Sequence, residues 1–68
     1  MSDMTSLKVM LNSNDWTYEM SDDMSAYSKG KQNDQACRRL AKELGAEGIK
    51  LYNEYYMKYA YPKDDILE

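Results

Sequence analysis

Hydrophobic side chains fall on every second position along the first third of the chain. Leu7, Val9 and Leu11 alternate with Lys8, Met10 and Asn12, and after Ser13-Asn14 the residues Trp16, Tyr18 and Met20 alternate with Thr17 and Glu19. A period of two is the pattern of a strand with one buried face. With Ser13-Asn14 as the turn, one register pairs Leu11 with Trp16, Val9 with Tyr18 and Leu7 with Met20, and sets Lys8 opposite Glu19 on the other face. Pattern, turn and charge pairing agree on that register, which predicts a β-hairpin as the first element. The competing reading is a helix from Asp15 that brings Trp16, Met20, Met24 and Tyr27 near one face.

The period then lengthens to that of a helix. Ser21-Asp22-Asp23 reads as an N-cap with acids in the first turn, ahead of a short helix that Gly30 ends. Asn33 or Asp34 caps a second helix from about Gln35 to Leu44, with Ala36, Cys37, Leu40, Ala41 and Leu44 on its apolar face and Gly45 at its C-terminal stop. Arg38, Arg39 and Lys42 fall on the opposite, solvent-facing side. The last helix runs from about Glu47 to Ala60, and Pro62 stops it. Gly48, Ile49, Leu51, Tyr52, Tyr55, Tyr56, Tyr59 and Ala60 share an arc of about half its circumference. The expected architecture is α+β: one small domain over residues 7–62, an N-terminal β-hairpin followed by two or three helices. A flexible N-terminus (1–6) and a charged tail (63–68) flank it. An all-α helical bundle is the alternative.

Composition changes what the core is made of. Six Leu, two Ile, one Val and no Phe occur in 68 residues, about an eighth of the chain, under the ~20% below which chains tend to be disordered. The net charge of -3 is too small to complete that signature. Seven Tyr, six Met and one Trp must therefore supply most of the bulk. A domain this short has a thin stability margin, which makes a partner or a second copy, as in a homodimer, a natural expectation.

Charge is segregated. Residues 1–28 set Lys8 against Asp3, Asp15, Glu19, Asp22 and Asp23 (net -4), residues 29–42 set Lys29, Lys31, Arg38, Arg39 and Lys42 against Asp34 (net +4), and the remainder is acidic again. A basic middle between acidic ends suits either an ordinary solvated surface or an electrostatically complementary contact.

Several chemistries are disfavoured. With no His and a single Cys, Cys37, neither a tetrahedral zinc site nor a Cys/His nucleophile pair can be assembled. Gly30, Gly45 and Gly48 match no phosphate-cradling loop, and Asp22-Asp23 and Asp64-Asp65 lack the spaced oxygens of a calcium loop. No enzyme activity, cofactor, metal or small-molecule substrate is expected. One cysteine cannot form an internal disulfide, no run approaches a membrane span, and Met1–Lys8 lacks the order of a signal peptide. These features point to the cytoplasm, or the host cytoplasm for a viral protein, with no membrane contact.

Two surfaces remain as candidates. Within ACRRLAKELGAEGIKLYNEY, Ala41, Gly45 and Leu51 carry the relative spacing of the small residue, turn glycine and buried aliphatic of a helix-turn-helix, and the run resembles that motif. The resemblance implies a nucleic-acid-binding regulator. The second helix, however, opens Ala46-Glu47-Gly48, where base-reading residues belong, and the basic residues Arg38, Arg39 and Lys42 precede it. That placement suits weak, salt-dependent contact with a phosphate backbone. The tyrosines form the other candidate, with five of them between Tyr52 and Tyr61. Tyr52 and Tyr56 belong to the core, and the edge formed by Leu51, Tyr55 and Tyr59 is expected to stay accessible in a monomer. The function expected from the sequence is a small, acidic, tyrosine-rich, non-enzymatic regulatory protein. It would bind a protein partner or itself through Leu51, Tyr55 and Tyr59, with Arg38, Arg39 and Lys42 steering the contact. By analogy of size and composition, viruses and mobile elements encode such chains as inhibitors of host proteins.

Overall fold

Helical spacing, not alternation, decides the N-terminal segment. In the structure, a computed structural model that describes residues 3–61 and residue 67, Asp3–Ser13 form a helix, α1. The expected hairpin is absent: the described residues contain no strand, and the fold is all-α. Leu7 and Leu11 satisfy a two-residue alternation, but they also stand four apart, and as one face of a helix they are completely buried while Val9 is 60% exposed. Local preference points the same way, since Met, Leu and Lys outnumber β-branched residues in this stretch. A lone two-stranded ribbon is marginal in water, whereas a third helix buries both leucines against the other two.

The segment after α1 is neither the second strand nor the alternative helix from Asp15. The Asp15 carboxylate accepts from the Thr17 N–H and hydroxyl, both at 3.1 Å. The Trp16 indole N–H donates to the Leu11 carbonyl at 3.0 Å, which folds the ring back under the end of α1. A single 3-10 turn follows at Tyr18–Met20. Met20 and Met24, predicted to sit on an apolar face, are exposed.

Helix α2 spans Met24–Leu44 without the predicted interruption at residues 30–34. Asp23 caps it, its carboxylate accepting from the Ser25 N–H at 2.9 Å. Gly30 does not break the helix because its missing side chain is what the packing uses: a Cβ there would collide with Cβ of Tyr18. Glycine costs a helix about 1 kcal/mol relative to alanine. The close seat of Tyr18, which also meets the Tyr27 ring edge-on at 5.5 Å, offsets that cost.

Gly45 alone separates α2 from α3, which spans Ala46–Tyr59 and matches its expected bounds to a residue. Its φ of 83° and ψ of -153° lie where only glycine is comfortable. Its N–H donates to the Lys42 carbonyl and its own carbonyl accepts from the Ile49 N–H, so one residue closes one helix and opens the next. α3 then runs back along α2, with Gly48 against the Ala41 carbonyl and Leu44. The core comprises Leu7 and Leu11 of α1, Cys37 and Ala41 of α2, Tyr52 and Tyr56 of α3, then Ala60 and Leu67. Leucine and tyrosine together make up most of this core, while Trp16, Met4 and Met10 are only partly buried against it and no methionine is in its buried centre, so the expected substitution of Tyr, Met and Trp for aliphatic bulk holds only for tyrosine. Of the segments predicted to flank the domain, residues 3–6 belong to α1, Leu67 is buried, and 63–66 and 68 lie outside the described residues. None of the described helices is long and apolar enough to cross a membrane.

Candidate protein-binding surface

The side chains of interest are placed by what fastens α3 to α2. Tyr52 is fully buried, and its hydroxyl donates to Oδ1 of Asp34 at 2.5 Å. Nε of Arg38 donates both to the Tyr52 hydroxyl at 3.0 Å and to Oδ2 of Asp34 at 3.2 Å. A ring of three groups results, in which a buried carboxylate meets a cation and a hydroxyl, and each atom has a partner. Burial first, and then the hydrogen bond to Asp34, push the Tyr52 hydroxyl far above its ordinary range, so it remains a donor. The guanidinium also lies over the Tyr52 and Tyr56 rings, 5.4 and 5.9 Å from their centroids.

This arrangement corrects two sequence expectations. Asp34 is not a cap but a buried residue in the interior of α2. Arg38 is not part of an exposed basic face: its side chain is 23% exposed and committed to Asp34 and Tyr52. An i, i+4 acid-to-arginine pair on a helix ordinarily reads as a solvated bridge. Only the tyrosine hydroxyl, 18 positions downstream of Asp34, turns it inward.

On the other side of α3 an aromatic series climbs from core to surface. Trp16 meets Tyr52 at 5.6 Å, stacks on Tyr55 at 6.3 Å, and Tyr55 meets Tyr59 at 5.9 Å. The Tyr55 hydroxyl donates to Oδ1 of Asn12 at 3.1 Å, which ties the middle ring to α1. Tyr59 is 47% exposed, Tyr61 58%. The ammonium of Lys58 sits 5.2 Å from the Tyr59 centroid, and Glu54, Tyr55, Lys58 and Tyr59 line a shallow notch of about 200 Å³.

Of the predicted contact residues, Leu51 and Tyr55 are partly buried against the core, because the segment read as a hairpin is a helix with Trp16 folded beneath it. Tyr59 keeps the exposure expected of it, and Arg39 and Lys42 are exposed on α2. The basic pair lies near Gly45, while Tyr59 lies at the far end of α3, roughly 12–17 Å away along the helix axes at 1.5 Å per residue. The structure therefore does not bring all six predicted residues into one patch. Tyr61, which sequence reasoning left unassigned, is exposed two positions beyond Tyr59, and its N–H donates to the Trp16 carbonyl at 3.4 Å. The signal for it was the position of Tyr61 just past the helix end.

The helix-turn-helix resemblance weakens on the same geometry. One residue separates the helices where that motif uses a turn of three or four, and Arg38 points inward. Among the described residues no group of three or more Cys, Asp or Glu side chains is placed to hold a metal ion. No protein-family model, curated protein or solved structure matches the chain.

Proposed function

We propose that this is a small non-enzymatic regulatory protein that binds another protein through the exposed end of its aromatic series, Tyr59 and Tyr61, with Lys58 beside them. One observation carries the reading: Tyr59 is held half-exposed against the Tyr55 ring, which itself stacks on the partly buried Trp16, and Tyr61 is exposed two positions further on. Exposed tyrosine offers a large contact area for little conformational entropy, and a rigid base lowers the ordering cost of binding further. Arg39 and Lys42, exposed at the other end of the hairpin, supply a separate positive patch suited to steering an acidic partner. Lys58 and Glu54 flank the notch with opposite charges, which favours a protein surface over a run of phosphates.

The test compares the full chain with the Tyr59→Ser/Tyr61→Ser variant. Both are immobilised, proteins retained from a lysate of the source cells are identified, and each is purified and titrated against both chains. The reading expects a protein whose Kd weakens at least tenfold in the variant while circular dichroism is unchanged. Retention unaffected by the substitutions would overturn it. Salt-sensitive binding of both chains to a generic DNA duplex would favour the phosphate-directed alternative.

A further inference from the structure

Away from the aromatic edge, α3 carries a second feature that the proposed function does not use. The carboxamide of Asn53 makes two hydrogen bonds to one residue: Nδ2 donates to the Leu67 carbonyl at 2.8 Å, and the Leu67 N–H donates to Oδ1 at 3.1 Å. Both main-chain groups of Leu67 are thereby satisfied by one side chain, the pairing a neighbouring strand would otherwise provide. The Leu67 side chain is buried in the core cluster at the same time. A side-chain amide that reads N–H and C=O together, above an apolar seat, recognises extended peptide backbone with an aliphatic residue at one position.

The surface continues past this contact. Ala46, Ile49, Lys50, Asn53, Glu54 and Met57 line an open groove of about 680 Å³ along the side of α3 opposite Tyr55, and Met57 is exposed there. At 100° per residue, Ala46, Asn53 and Met57 lie within about 40° of one another, so the groove is one helical stripe with Asn53 in its middle. Lys50 and Glu54 give it one charge of each sign, which fits a peptide of mixed character and disfavours a polyanion.

We propose that this stripe is a binding site for an extended, leucine-bearing segment of a partner protein, and that Leu67 of the same chain is a tethered competitor for it. Leu67 shows the chemistry the site accepts. An incoming segment that seats a leucine at Asn53 lies beside the groove and can use its apolar residues Ile49 and Met57 as well. Exchange of tails between two copies would only repeat the contacts already made within one chain, so a partner gains more than a second copy does. Because Leu67 belongs to the same chain, it competes intramolecularly, which sets a threshold the partner must exceed. The proposal does not use Tyr59: the two surfaces share only Glu54 at their border and otherwise lie on different sides of α3.

The probes are a synthetic acetylated peptide with the sequence of residues 61–68 and the same peptide with serine in place of its leucine. Both are titrated into the ¹⁵N-labelled full chain, wild type and Leu67→Ser. Expected are binding of the leucine peptide to the Leu67→Ser chain at least tenfold tighter than to wild type, shifts at the Asn53 side-chain amide and at Ile49, Lys50 and Met57, and no response to the serine peptide. In wild type, millimolar leucine peptide should accelerate hydrogen exchange of the Leu67 amide, a readout that holds even where Leu67→Ser compromises folding. Tyr59→Ser should leave all of this unchanged. Equal response to the two peptides, shifts elsewhere, or Leu67 exchange indifferent to peptide overturns the proposal. A wild-type dimer that Leu67→Ser dissociates would assign the site to a second copy instead.

Discussion

Helix α3 is held on two sides by different physics. Toward α2 it is fixed by position-specific contacts: the Asp34–Arg38–Tyr52 ring, the seat of Gly48 on the Ala41 carbonyl, and a turn only glycine can make. Toward α1 it meets apolar side chains, the Trp16 ring and one exposed hydrogen bond from Tyr55 to Asn12. The first interface specifies one geometry, because displacing it strands a buried charge. The second supplies burial but little that distinguishes one packing from a neighbouring one. Stability and specificity are thus divided between the two, and α1 should open more readily than the α2–α3 pair.

The strongest challenge to that division is Leu7→Ala. Leu7 is fully buried in α1, and truncation there should cost about 3–4 kcal/mol, most of the stability a domain of this size has. If the contrast holds, thermal melts of the variant lose tertiary signal early while the α2–α3 helices persist in circular dichroism. A single concerted melt would show that the two interfaces act as one unit. Tyr52→Phe probes the other side. It removes the hydroxyl donor from Asp34 at nearly constant volume, with an expected loss of about 2 kcal/mol by urea denaturation; a loss under 0.5 kcal/mol would mean that Arg38 alone satisfies the carboxylate.

Asn14→Leu should act in the opposite direction. The Asn14 carboxamide is buried between α1 and α2 in a notch shared with Val9, Met10, Ser13, Asn33 and Cys37, and neither its nitrogen nor its oxygen has a hydrogen-bond partner there. Replacing it with an apolar side chain of similar size should raise stability by up to about 1 kcal/mol. A decrease would show that the polar group is needed at the α1 interface. Alkaline pH is the mildest perturbation. Burial pushes the Cys37 thiol from 9.0 up to about 11 and the Tyr18 hydroxyl from 10.0 up to about 12. In both, the folded state keeps a proton that the unfolded chain releases. The stabilisation is complete below about pH 9 and is lost as pH rises through 9–11 for Cys37 and 10–12 for Tyr18. Tyr52 shifts in the same direction. The melting temperature should be insensitive to these groups between pH 7 and 9 and fall above that.

The same division explains what the sequence revealed. The α2–α3 hairpin was legible because its signals are local: Gly45 at the stop, an apolar face from Ala36 to Leu44, a tyrosine arc ended before Pro62. α1 was not legible, because Leu7 and Leu11 satisfy both a period of two and a spacing of four, and only the presence of two other helices chooses between them. Gly30 and Asp34 misled for a related reason. Each breaks a local rule of helix composition, and each is repaid by a partner distant in sequence, Tyr18 for one and Tyr52 for the other. At the candidate surface, the exposure of Tyr59 followed from helical periodicity. The withdrawal of Tyr55, Leu51 and Arg38 depended on tertiary neighbours that no periodicity encodes.

Cys37 lies where α1 closes on α2. It is the chain's only thiol, 1% exposed, in a notch whose far wall is Val9, Met10 and Ser13 of α1. A disulfide reagent can reach it only when that wall moves, and at pH 8 the released thiol is reactive on the timescale of mixing experiments. The unmodified protein therefore carries its own clock for the parting of α1 from α2. Labelling slow and insensitive to reagent concentration would time the opening itself, and labelling proportional to reagent would give its equilibrium, without a fluorophore or a substitution.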